Sequence, residues 1–149
     1  MSCKSGIYVA NTTTGTSLGI GATYAPNTVI RRFGKYTQLG GNGVSIGNCQ
    51  GGSGYYSVDA TVSVAATAAG NITATLFKDE APVLGATSLA TAAAAGNIVT
   101  LPITALVRLN CDCDAANLTI VMGGQITTSQ NLSFKVIKEW WTMTKIKKL

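Results

Sequence analysis

Residues 54–83 read GYYSVDATVSVAATAAGNITATLFKDEAPV, and their alternation sets the fold class. Val58, Ala60, Val62 and Val64 fall on one side of an extended chain while Ser57, Asp59, Thr61 and Ser63 fall on the other. That period of two is the pattern of a strand with one buried face. Ile72, Ala74 and Leu76 repeat it against Thr73 and Thr75. The soft Ala/Gly stretch between the two runs predicts a β-hairpin or a pair of neighbouring strands. Lys78-Asp79-Glu80 forms a polar tip, and Pro82, with no amide proton to donate, ends the pairing or moves it to a sheet edge.

Working outward, turn signals recur at short intervals: Gly15, Gly19, Gly21, Pro26-Asn27, residues 40–43 and 51–54, Gly70-Asn71, Gly85, Gly96-Asn97 and Gly123-Gly124. Short strands at such spacing predict an all-β sandwich or barrel. The strands are expected near residues 6–10, 28–33, 43–47, 55–65, 71–78, 98–109, 117–123 and 131–141. In the run at 98–109, Val99, Leu101, Ile103, Ala105, Val107 and Leu109 share a face, and Pro102 predicts an outer edge that is unpaired or bulged. The string AAGNI occurs at 68–72 and again at 94–98; with no third copy it reads as two similar strand entries, not a solenoid. Residues 90–95 are alanine-rich but too few for a stable helix, so a loop or edge strand is expected.

At 149 residues the chain is long enough to bury a core, and it is read as one domain over residues 1–140 with an extension at 141–149. Charged residues make up 11% and glycines number 17, so hydroxyls and amides cover the surface, a texture that suits a durable sandwich better than a metabolic enzyme. No run of 18 apolar residues is present, and the first residues lack an apolar core of signal-peptide length. The expectation is a protein made in the cytoplasm and left soluble, with no membrane partner.

The net charge of +5 is concentrated at one end: Lys135, Lys138, Lys145, Lys147 and Lys148 against Glu139 leave residues 1–134 at +1. Nucleic-acid binding calls for basic residues spread over a face with aromatic platforms between them. Only residues 31–36, RRFGKY, come close, and a polar strand edge accounts for them, so no nucleic-acid partner is expected.

The search for chemistry returns absences. The chain has no histidine, which removes the usual general base, the Ser-His and Cys-His nucleophile pairs and the commonest transition-metal ligand. Six carboxylates remain, and a glycosidase-like pair is set aside because none sits beside an aromatic sugar platform. Residues 40–47, GGNGVSIG once Gly40 is counted as the first glycine, match neither a P-loop nor a dinucleotide fingerprint and read as loop glycines. Cys111-Asp112-Cys113-Asp114 could in principle join Cys3 and Cys49 around a soft metal, but the spacing is not that of a zinc knuckle. A polar loop with reduced thiols is the reading adopted, with no metal and no cofactor; a Cys3 to Cys49 bridge formed after release from the cell stays open. Asn-x-Ser/Thr triplets such as that at Asn71 are expected by chance in so Asn- and Thr-rich a chain.

The order GYYSVDATVSV, ITATLFKDEAPVLGAT, IVTLPITALVRLN, NLTIVMGG, NLSFKVIKEW resembles the strand sequence of the jelly-roll domains shared by complement-type globular heads and tumour necrosis factor. A further likeness is to small Ala/Thr-rich proteins of this class encoded by tailed phages of gut Firmicutes, which look like virion surface or head-decoration proteins. The resemblance spans residues 7–140; the terminal WWTMTKIKKL lies beyond it. It implies an antiparallel jelly-roll β-sandwich that forms a homotrimer, with Tyr55, Tyr56, Phe77 and Phe134 as interface candidates, packing within the core being the competing role for each. It implies no enzyme, but a structural protein of the virion surface whose partners are itself and the major capsid protein or another virion protein. A receptor- or carbohydrate-binding tip of a head fibre is the alternative. Trp140, Trp141, Met143, Lys145, Ile146, Lys147 and Lys148 combine large apolar groups with lysines, a mix suited to docking on an acidic, partly apolar capsid lattice. The same tryptophans could instead cap the sandwich, and the segment before Thr14 is a second possible anchor.

Overall fold

The computed structural model describes residues 4–47, 52–109 and 115–139. Over these, the chain forms two antiparallel sheets packed face to face. The first has the order β3 (Thr28–Phe33), β1 (Gly6–Asn11), β11 (Thr127–Glu139), β6 (Gly54–Ala66), β9 (Ile98–Leu109), and the short β2 (Ser17–Leu18) pairs with the start of β11. The second has the order β4 (Thr37–Gly40), β5 (Gly43–Ile46), β10 (Ala116–Gly123), β7 (Gly70–Lys78), β8 (Ala81–Ala92). This is the expected jelly-roll sandwich. The core lies between the sheets, filled by the inward residue of each alternating pair: Tyr56, Val58, Ala60, Val62 and Val64 from β6, Ile72, Ala74 and Leu76 from β7, Leu118, Ile120 and Met122 from β10, Leu132, Phe134 and Val136 from β11. Every one of these is at most 1% exposed.

The central strand pair differs from the expected hairpin. β6 and β7 are consecutive but lie in different sheets: β6 is hydrogen-bonded to β11 and β9, β7 to β10 and β8. Period two fixes which residues face the core, not which strand is the neighbour, and two apolar faces can meet across the core as readily as within one sheet. The crossing at residues 67–69 is held by Gln125, whose Oε1 accepts the amides of Thr67 and Ala68 at 3.1 Å each and whose Nε2 donates to the Ala68 carbonyl at 2.9 Å. Those bonds satisfy backbone groups that a ladder would otherwise pair.

The repeated AAGNI marks two of the crossings between the sheets, close together in space. Its first copy carries β6 to β7 and its second carries β8 to β9, with Gly70 at φ 140° and Gly96 at φ 87°. Ala66 ties the two together, donating to the Asn97 carbonyl at 2.8 Å and accepting from the Gly96 amide at 2.8 Å. Both prolines within strands sit on edges: Pro82 in β8 and Pro102 in β9, each the outermost strand of its sheet, where no ladder donor is lost. The alanine-rich stretch is strand as far as Ala92 and turn beyond it. β2, β4 and the twelve-residue β8 were not among the expected strands, and β11 begins four residues earlier than the expected 131.

Candidate functional site

The chain has no histidine, and its functional groups gather on the outer faces of the two sheets. On the outer face of the first sheet, residues that alternate with the core set converge: Tyr8 from β1, Asp59 and Thr61 from β6, Ser133 and Lys135 from β11 line a shallow cleft of about 380 Å3. Lys135 Nζ lies 3.8 Å from Asp59 Oδ2 across adjacent strands, with both side chains about half exposed (50% and 57%). Such an exposed pair contributes about 0–1 kcal/mol. Beside it an apolar groove of about 250 Å3 runs between Ile137, Phe33 and Arg31, where β3 flanks β1.

Edge strand β3 is exposed along its whole length, including Val29, Ile30 and Phe33. The basic cluster lies on this edge and the turn after it, among exposed apolar side chains and so on a less polar edge than expected: Arg32 Nε donates to the Thr37 carbonyl at 2.7 Å and Lys35 lies 5.7 Å from the centre of the Tyr36 ring. Gly34, at φ 75°, turns the chain where a Cβ would stand 2.3 Å from the Lys4 carbonyl oxygen. The opposite edges are apolar. β8 and β9, the outermost strands of the two sheets, lie against each other and expose Leu84 (97%), Leu89 (62%), Ile98 (62%) and Leu106 (55%).

The four aromatic interface candidates do not share a surface. Tyr56 and Phe134 are fully buried between the sheets and present nothing to a neighbour; their inward register on β6 and β11 decides this. The Tyr56 hydroxyl donates to the Gly52 carbonyl, and burial, reinforced by the nearby Tyr36, pushes its phenol above the ordinary range. Tyr55, 40% exposed, stands on the outer face of the first sheet. Phe77 is half-buried on the outer face of the second, on the far side of the sandwich. There it lines one basin with Asp79 and Glu80, so an aromatic ring does sit beside carboxylates, contrary to the sequence-based expectation. Trp140, Trp141, Met143, Lys145, Ile146, Lys147 and Lys148, and all four cysteines, lie outside the described residues. Among the described residues no three metal-ligating side chains cluster, and no helix is long and apolar enough to cross a membrane. Gly41 and Asn42, at φ 59° and 65°, form the two-residue hairpin turn between β4 and β5, as the glycines there predicted.

This strand order defines an antiparallel jelly-roll sandwich. No protein-family model and no curated protein sequence matches the chain. Solved structures do share its fold. The crystal structure of murine APRIL at pH 8.0 is 12% identical with a TM-score of 0.60, covering 91% of this chain and 99% of its own. The Eiger TNF of S. frugiperda is 10% identical with a TM-score of 0.61, covering 93% of each chain. The PRD1 vertex protein P5 is 14% identical with a TM-score of 0.55, covering 90% of this chain and 96% of its own.

Proposed function

We propose that this chain is a non-enzymatic structural protein of a phage virion, a homotrimeric auxiliary protein that docks on the capsid surface after synthesis in the bacterial host. The observation that carries this reading is the apolar edge formed by Leu84, Leu89, Ile98 and Leu106 on β8 and β9. Exposed apolar edge strands template unwanted pairing unless a partner covers them, and a second copy of the chain is the partner a low-charge surface suits. The fold shared with a viral vertex protein supports a place on the virion. The absence of histidine supports a role without catalysis.

In this reading the apolar edge of β8 and β9 packs toward its copies, with Tyr55 of β6 beside it opposite Arg108 of β9, and Trp140, Trp141, Met143, Lys145, Ile146, Lys147 and Lys148 contact the major capsid protein or another virion protein. Light scattering on the purified chain tests the assembly: a trimer mass is expected, and a stable monomer at micromolar concentration overturns it. Deleting residues 141–149 is expected to leave a trimer that no longer binds purified capsids; undiminished binding removes the tail from the docking surface.

A further inference from the structure

The outer face of the second sheet carries a basin of about 520 Å3, within the roughly 300–1,000 Å3 of small-ligand sites. Phe77 of β7 and Val121 of β10 form an apolar floor. Polar side chains from separate loops and turns stand around it: Thr23, Asn42, and the Asp79-Glu80 pair of the β7–β8 turn. The rim is braced through β10. Asp79 Oδ1 accepts the Asn117 amide at 3.0 Å, and Asn117 Nδ2 donates to the Gly41 carbonyl at 2.6 Å, which locks the two turns to one strand.

Most of the rim's hydrogen-bonding capacity is unspent. Among the described residues, the side chains of Thr23, Asn42 and Glu80 have no hydrogen-bond partner, and Asp79 uses one carboxylate oxygen. The carboxylates accept only, the Asn42 amide both donates and accepts, and the hydroxyl does either. A ligand matched to this set brings hydroxyl donors, oxygen acceptors and a flat C–H surface for the Phe77 ring. An anion is repelled by Asp79 and Glu80, and a simple cation leaves the amide, the hydroxyl and the apolar floor unused. We infer that the basin binds an uncharged pyranose sugar. None of Leu84, Leu89, Ile98, Leu106 or Tyr55 lines it, so the inference does not rest on the assembly proposed above.

Ligand-observed NMR on the full chain with glucose, galactose, mannose and N-acetylglucosamine tests it, with glucuronate as the anionic and glucosamine as the cationic probe. At least one neutral sugar is expected to bind at millimolar concentration and glucuronate is not. Phe77→Ala is expected to weaken that binding about tenfold or more. Asn42→Gly removes the amide while keeping the positive φ accessible, so it is expected to fold and to weaken binding as well; it decides the matter if Phe77→Ala does not fold. Binding of glucosamine alone, binding of glucuronate, neutral-sugar binding undiminished in the folded variants, or no binding by any probe overturns the inference. Because the assay holds no capsid and reads no mass, each of those results leaves the assembly question untouched.

Discussion

Ser5 and Thr37, 32 residues apart in the chain, meet hydroxyl to hydroxyl at 2.9 Å with both residues fully buried. The Ser5 Oγ also lies 3.1 Å from the Phe33 carbonyl and accepts the Tyr36 amide at 3.0 Å, so one small side chain anchors the whole excursion from β3 to β4.

Ser5→Ala leaves the Tyr36 amide and the Thr37 hydroxyl without that partner in a buried site, at an expected cost of about 1–3 kcal/mol. Urea denaturation is expected to show a lower midpoint with an unchanged slope. In Ser5→Ala/Thr37→Val the second hydroxyl is gone too, so the double variant is expected to lose less than the sum of the singles. Additive losses would mean that the two hydroxyls do not interact.

Two glycines are expected to respond very differently to substitution. A Cβ on Gly43 would stand 1.9 Å from the Leu118 carbonyl oxygen, whereas one on Gly85, at φ 81°, meets nothing within 4 Å. Gly43→Ala must push β5 off β10 and is expected to cost about 3 kcal/mol or more. Gly85→Ala carries only left-handed backbone strain, about 1–2 kcal/mol. Thermal midpoints of the two variants order them; equal losses would show that β5 yields freely.

Alkaline pH is expected to unfold the protein. Burial raises the phenols of both Tyr24 and Tyr56, so the folded chain keeps these protons while the unfolded chain releases them near the ordinary value of about 10. Their contribution is fully present below that pH and is lost as pH rises toward the folded values. Tyr56→Phe is expected to lower stability at neutral pH, since the Gly52 carbonyl loses its donor, and to flatten the alkaline decline. An alkaline limb identical to that of the parent would exclude Tyr56 as its source.

Leu106→Glu and Ile98→Glu introduce charge on the outer edge strand at positions 55% and 62% exposed, so neither is expected to unfold a single subunit. Both are expected to lower the assembled mass in light scattering. An unchanged mass with a normal denaturation curve would move the interface away from β9.

Strand identity was legible wherever the two faces differ in polarity. β6 and β7 set apolar residues against Ser and Thr, β9 carries an unbroken apolar row from Val99 to Leu109 on its inner face, and the limits of all three follow within a residue. β8 lacks that contrast: APVLGATSLATA puts Leu84 and Leu89 outside and Ala86 inside, so its larger residues do not mark the buried face. β4 is four residues ending in glycine, too short to show a period. The partner of each strand was not legible, which is why β6 and β7 read as a hairpin. The basin around Phe77 was hidden for a related reason. Thr23, Asn42, Glu80 and Val121 are far apart in sequence and meet only because β10 lies between β5 and β7.

β11 lies between β1 and β6, so the last described strand is the bridge that joins the first to the middle of the chain. While the protein is being synthesised, β1 and β6 have no common neighbour until residues 127–139 leave the ribosome. Pairings of such long sequence separation form slowly, and the half-built sheet exposes its apolar face in the meantime. A chain interrupted before β11 lacks the strand that joins β1 to β6 and is expected to leave both with an unpaired edge and an uncovered core face.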